Sequence, residues 1–184
     1  MRTRNKIVYL CGFMASGKST LGEIVANVIG WNFFDLDKEI EKNQQKSITE
    51  IFDESGEKYF RNIETEMLHL LSDRYYSVIS LGGGTVTSED NLNFCLENGL
   101  LVYIKVTPEK IYNRLKHRLD RPLVKSFVVE GKEKRLKNKI EQMLAEREKF
   151  YLRSHVIFEP KNLSFGKSID VLVSKIKGLI DERN

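Results

Sequence analysis

Apolar residues along the chain fall into two alternating patterns. Short apolar-rich runs lie at 6–11, 32–35, 77–81, 100–106 and 155–158. Strands buried on both faces read this way. Between them the apolar positions recur with helical spacing, as at Leu21, Ile24, Val25, Val28 and Ile29. The pattern predicts helices over 18–29, 37–45, 48–55, 57–72, 88–98, 108–118, 132–152 and 167–182. Local signals agree with it. Ser47-Ile48-Thr49-Glu50 is a capping box, and Thr107-Pro108 places a cap before a first-turn proline. Strand alternating with helix predicts an α/β fold, a parallel sheet with helices on both faces. No repeat, low-complexity tract or linker interrupts it, so residues 1–184 are expected to form a single domain. The segment 119–131 breaks the rhythm. It joins Arg121-Pro122 to Phe127-Val128-Val129 and Gly131 without a period. A loop that long in a compact domain is expected to act as a lid.

The first strand leads directly into chemistry. Ile7-Val8-Tyr9-Leu10-Cys11 runs into Gly12-Phe13-Met14-Ala15-Ser16-Gly17-Lys18-Ser19, and a helical pattern follows. G-x-x-x-x-G-K-S between strand and helix is a phosphate-binding loop. Its backbone N–H groups and the positive helix end wrap an anion. Lys18 can reach the β- and γ-phosphates of a nucleotide, and Ser19 can place its hydroxyl on Mg²⁺.

Composition narrows the setting. Apolar residues make up 41% and charged residues 30%, a balance that indicates a soluble globular chain and not a disordered one. No apolar run approaches the roughly 20 residues of a membrane span. The start, Met1-Arg2-Thr3-Arg4 before an apolar stretch and Ala15-Ser16-Gly17, faintly resembles a signal peptide. Cleavage there would destroy the phosphate loop, so a cytoplasmic protein is expected. Cys11 and Cys95 read as buried thiols in a reducing compartment. The net charge is +4, with Arg114, Lys116, Arg118, Arg121, Lys132, Lys134, Arg135 and Lys137 clustered in 105–149. Beside a phosphate loop, this cluster reads as a polyphosphate face and a solvated helix surface; no nucleic-acid or membrane partner is expected.

Three further groups carry candidate chemistry. Asp35 and Asp37 end the second strand, where ligands sit in open parallel sheets. One carboxylate can help hold Mg²⁺ and the other can accept a proton from an attacking hydroxyl. Asp37 could equally cap the helix after it. Gly82-Gly83-Gly84 follows the third strand and lets a ligand approach the backbone, although a plain turn would look the same. Arg147 falls on the apolar stripe of Leu136, Ile140, Met143 and Leu144, so its guanidinium needs an anionic partner. Arg61 borders the stripe of Phe60, Ile63, Met67, Leu68 and Leu71, with Glu64 as its ordinary partner. Two such arginines suggest bidentate recognition of a substrate carboxylate. Arg121 can close over a γ-phosphate or stay in solvent. His69, His117 and His155 show no metal-ligand spacing and are assigned to structure or surface.

In order and spacing the motifs resemble shikimate kinase through nearly the whole chain. The resemblance rests on residues 12–20, Phe34-Asp35-Leu36-Asp37, Phe60-Arg61 with Glu64, Gly82–Gly84, Arg121-Pro122-Leu123, and Arg147 followed by Phe150-Tyr151. It implies ATP- and Mg²⁺-dependent phosphorylation of the shikimate 3-hydroxyl in aromatic amino-acid biosynthesis. The implied fold is a five-stranded parallel sheet of nucleoside-monophosphate-kinase type with a lid, and the implied state is a monomer. For residues, it implies an ATP site of Gly12, Ala15, Ser16, Gly17, Lys18, Ser19, Thr20, Arg114 and Arg121. Arg114 would stack on adenine and Arg121 would be the lid arginine. It further implies metal support from Ser19 and Asp35, and contact of Asp37 with the reacting hydroxyl. Arg61 and Arg147 would hold the substrate carboxylate, and Gly82, Gly83 and Gly84 would shape the ring site.

The chain departs from that family in three places. Ala15 stands where glycine is usual; since a left-handed backbone penalises alanine by more than roughly 1 kcal/mol, φ < 0 is expected there. Arg153 and His155 stand where Glu and Ala are usual, and 123–140 is the least family-like stretch. Two other functions fit the phosphate loop: a small-molecule kinase of gluconate kinase type, and a nucleotide-binding regulator without turnover.

Overall fold

The computed structural model describes residues 6–116, 133–160 and 164–182. The elements run β1 (Ile7–Cys11), α1 (Lys18–Ile29), β2 (Asn32–Asp35), α2 (Leu36–Gln44), α3 (Ile48–Ser72) and β3 (Ser77–Ser80). A 3-10 turn at Thr85–Thr87 follows, then α4 (Glu89–Asn98), β4 (Leu100–Ile104), α5 (Pro108–Leu115), α6 (Glu133–Tyr151), β5 (Val156–Phe158) and α7 (Phe165–Glu182). Among the described residues the five strands are all parallel, in the order β2-β3-β1-β4-β5.

The order follows from burial. β1, β3 and β4 are buried at every position and occupy the middle of the sheet. β2 is partly exposed and takes one edge. Helices cover the sheet, so its central strands read as continuous apolar runs. The capping box forms as the sequence predicts: Ser47 Oγ accepts from the Glu50 amide, and Glu50 accepts from the Ser47 amide. The two helices expected at 48–55 and 57–72 join into α3 across a kink. Gly56 makes the kink at φ 78°, a conformation open to glycine and strained for other residues.

Strand register brings the site together. Asp35 pairs with Ser80, and Ser80 pairs with Leu10. The carboxyl ends of β2, β3 and β1 therefore line up in one row. Asp35 ends the first of these strands, the glycine triplet follows the second, and the phosphate loop follows the third.

Both thiols are fully buried and free. Burial pushes the Cys11 thiol up to about 12 and Cys95 further still. Raised values keep both thiols protonated at neutral and mildly alkaline pH. A water-soluble disulfide reagent at pH 8 is expected to label neither cysteine in the native protein and both after denaturation. Rapid native labelling would contradict the full burial of Cys11 and Cys95.

Candidate active site

The phosphate loop is shaped by its own backbone and by two cations. Gly17 caps α1 at φ 98° without a side-chain hydrogen bond, so no cap side chain occupies the first-turn amides of α1. Lys18 is buried and its ammonium donates to the carbonyls of Gly12, at 2.9 Å, and Phe13, at 3.1 Å. Ser16 Oγ is buried without a protein partner among the described residues. Thr20 lies exposed on the first turn of α1. Arg114, in the last turn of α5, donates through Nη1 to the carbonyls of Ala15, at 2.8 Å, and Ser16, at 3.0 Å. One expectation is overturned here. Ala15 has φ 57°, so the position that favours glycine does so for its left-handed backbone.

Ser19 and Asp35 meet as the strand register dictates. Ser19 Oγ donates to Asp35 Oδ2 at 2.5 Å and lies 3.4 Å from Ser80 Oγ. The other carboxylate oxygen of Asp35 accepts from the Lys38 amide at 3.3 Å, which makes Asp35 the N-cap of α2. The capping role considered for Asp37 therefore belongs to Asp35. Asp37 stands in the first turn of α2 and faces the glycine triplet.

The triplet is the hub of the site, because each glycine is packed against a different functional group. A Cβ on Gly82 would lie 2.8 Å from Glu64 Oε1, 2.9 Å from Asp37 Oδ1 and 3.0 Å from Thr85 Oγ1. One on Gly83 would lie 3.3 Å from the Met14 amide and 3.7 Å from Arg147 Nη1. One on Gly84 would lie 2.8 Å from both terminal nitrogens of Arg61. Close approach, and not flexibility, is what three glycines supply here. Asp37, Arg61 and Arg147 converge on three consecutive residues beside the phosphate loop.

The two arginines differ in their partners. Arg61 Nη1 donates to Glu64 at 2.7 Å and Nη2 to Glu57 at 3.2 Å. Its ordinary helical partner is thus in place. Arg147 Nη1 donates to the Gly83 carbonyl at 3.2 Å, and its guanidinium lies 5.7 Å from the Phe13 ring. Among the described residues no carboxylate forms an ion pair with Arg147.

Three supporting residues complete the site: Glu64, named from the sequence only as the partner of Arg61, Tyr151, named only within a motif, and Asn91, which was not named. Glu64 is 1% exposed; it accepts from Arg61 and from Thr85 Oγ1, at 2.7 Å. Its signal was legible: four residues after Phe60 and four before Leu68, it is a charge on an apolar stripe. Asn91 Nδ2 donates to the Thr85 carbonyl at 3.2 Å. The Tyr151 hydroxyl donates to the Gly83 carbonyl at 2.5 Å, and burial pushes its pKa far up, which keeps it a donor.

A family model described as shikimate kinase matches residues 14–177. A shikimate kinase of Chlorobium limicola is 38% identical over 173 residues, which covers 94% of this chain and 87% of the relative. The chain belongs to the shikimate kinase family. Solved structures agree. A shikimate kinase from Bacteroides thetaiotaomicron superposes with a TM-score of 0.84 at 33% identity, covering 96% of this chain and 98% of the other. One from Acinetobacter baumannii in complex with shikimate gives 0.82 at 31% identity, covering 98% and 95%. A gluconokinase from Sinorhizobium meliloti, at 13% identity and a TM-score of 0.54, shares the fold alone.

Membership separates what is shared with the family from what is particular to this chain. Arg121, His117 and the lid expected at 119–131 lie outside the described residues. The two residues that depart from the family pattern after α6 are absorbed locally. Arg153 Nη1 donates to both carboxylate oxygens of Glu89, at 2.8 and 2.7 Å, and Nη2 to Asn93 at 3.2 Å. His155 Nδ1 accepts the Leu101 amide at 3.0 Å, and His69 stacks on Phe94. Both described histidines serve structure. Among the described residues no three His, Cys, Asp or Glu side chains gather as a metal site, and no helix is long and apolar enough to cross a membrane.

Proposed function

We propose that the protein transfers the γ-phosphoryl group of ATP to the 3-hydroxyl of shikimate, giving shikimate 3-phosphate and ADP. The observation that carries this reading is the convergence of Asp37, Arg61 and Arg147 on Gly82–Gly84, next to Met14 of the phosphate loop. A base, a carboxylate clamp and a phosphate cradle adjoin one another there. Phosphoryl transfer asks the protein mainly for positioning and charge stabilisation, and this arrangement supplies both.

Gly12 to Thr20 would hold the nucleotide's phosphates, with Lys18 swinging from its carbonyl partners to the β- and γ-oxygens. Arg114 borders this loop. Asp37 would accept the proton of the 3-hydroxyl as it attacks. Arg147 and Arg61 would hold the substrate carboxylate, with Gly82, Gly83 and Gly84 against the ring. Arg121, on the expected lid, would meet the transferring phosphate. Ser19 Oγ and Asp35 Oδ2 pair a hydroxyl with a carboxylate, an oxygen donor set that suits Mg²⁺. A magnesium ion held mainly by phosphate oxygens and water needs no larger protein cluster, and when bound it neutralises charge on the phosphates. We further propose a single-domain monomer in the cytoplasm. The free buried thiols fit a reducing compartment, and all described strands belong to one sheet.

The test is ADP release in a coupled assay. MgATP with shikimate is expected to support turnover, and MgATP alone only background hydrolysis. Faster turnover with gluconate or a nucleoside monophosphate at equal concentration would overturn the assignment of substrate.

A further inference from the structure

We propose that Arg114 is a positioning residue that clamps the left-handed Ala15 peptide of the phosphate loop into its phosphate-receiving shape. This rests on the phosphoryl-transfer reading above. Alanine disfavours the left-handed backbone by about tenfold relative to glycine, yet Ala15 has φ 57°. Something must hold it there. Two cations divide the loop's carbonyls between them. Lys18 takes those of Gly12 and Phe13, and Arg114 Nη1 takes those of Ala15 and Ser16, at 2.8 and 3.0 Å. In a trans peptide the N–H points opposite to the C=O. Fixing the Ser16 carbonyl on Arg114 therefore aims the Gly17 amide away from Arg114. A row of such oriented amides is what an anion-binding loop requires.

The clamp has a firm base. Thr107 caps α5 by accepting the Lys110 amide, Pro108 opens the helix, and Ile111 and Leu115 anchor the same helix by burial. The guanidinium also closes over Gly17, whose added Cβ would lie 3.6 Å from Nη1. An arginine that merely stacked on a base would have no need of these two carbonyls. The demand is particular to this chain, since glycine at position 15 would take the same backbone without strain.

The experiment compares four proteins: the natural chain, Arg114→Met, Ala15→Gly and the double variant. Affinities for tripolyphosphate and for ATP are measured by titration calorimetry. Tripolyphosphate has no base, so it reads the loop alone. Arg114→Met is expected to weaken both ligands by about tenfold in the natural background, the size of one charge-assisted hydrogen bond. In the Ala15→Gly background the same change is expected to weaken tripolyphosphate by about threefold or less, because the strain that the clamp opposes is gone. Arg114→Lys is expected to restore part of the tripolyphosphate affinity, since an ammonium can still donate to the carbonyls. Arg114→Leu replaces Arg114→Met throughout if that variant unfolds. A loss confined to ATP, or an equal tripolyphosphate loss in both backgrounds, would overturn the clamp. Turnover of shikimate by the natural chain is recorded alongside. Failure of the functional reading shows as absent turnover, whereas failure of the clamp shows as an unchanged affinity ratio.

Discussion

Asp37→Asn is expected to lower turnover by about 10²–10⁴-fold, the range general-base removal produces, while ATP affinity stays close to that of the natural chain. The structure separates the two effects. Asp35, and not Asp37, caps α2 and binds Ser19, so an amide at position 37 removes neither the cap nor the Ser19 contact. Asp37 Oδ1 instead lies 2.9 Å from where a Cβ on Gly82 would stand, at the glycine triplet. Asparagine keeps the size of the side chain and loses the ability to take a proton. Steady-state kinetics with calorimetric titration of ATP decide the matter. Equal losses of ATP affinity and of turnover would assign Asp37 a structural role.

The fold was legible because its signals are periodic and local. Buried strands of a parallel sheet are continuous apolar runs, and every strand and helix expected among the described residues is present, with ends differing by a few residues. The 3-10 turn at Thr85–Thr87 carries no such period, and it follows from the glycine loop's own geometry. The site was legible where chemistry needs a rare residue in a fixed context: Lys18 and Ser19 after a strand, a glycine triplet after another, and Arg147 on an apolar stripe. It was less legible where two neighbours compete for one role. Asp35 and Asp37 are both suitable caps, and only the pairing of Asp35 with Ser80, beside Ser19, decides between them. The backbone angle of Ala15 was misjudged for a related reason. Local propensity disfavours φ > 0, but loop closure and a distant arginine set that angle, and neither appears in a window of sequence.

Arg147→Ala is expected to raise the shikimate KM by about 10–100-fold, the loss of charge-assisted hydrogen bonds to a carboxylate, with a smaller change in the ATP KM. Arg61→Ala is expected to act differently, because the two guanidinium groups are engaged differently. Arg61 is committed to Glu64 and Glu57, and Glu64 is buried. Removing Arg61 strands a buried carboxylate, so its loss is expected to lower the thermal unfolding midpoint as well as substrate affinity. Arg147 donates to a neutral carbonyl, has no carboxylate partner among the described residues, and faces Gly83 next to the phosphate loop. Its positive charge is thus the one more available to an incoming anion. Tyr151, one turn on, holds the same Gly83 carbonyl at 2.5 Å and keeps the loop in place when Arg147 is truncated. Arg147→Lys is also expected to bind shikimate poorly, since an ammonium cannot supply the planar fork. If both arginines grip one carboxylate, the losses in the double variant will be less than additive. Initial-rate kinetics over a shikimate series, with melting curves for each variant, check all four expectations. Additive losses would reject a carboxylate shared by the two arginines, and a shikimate KM unchanged by Arg147→Ala would remove Arg147 from the substrate site.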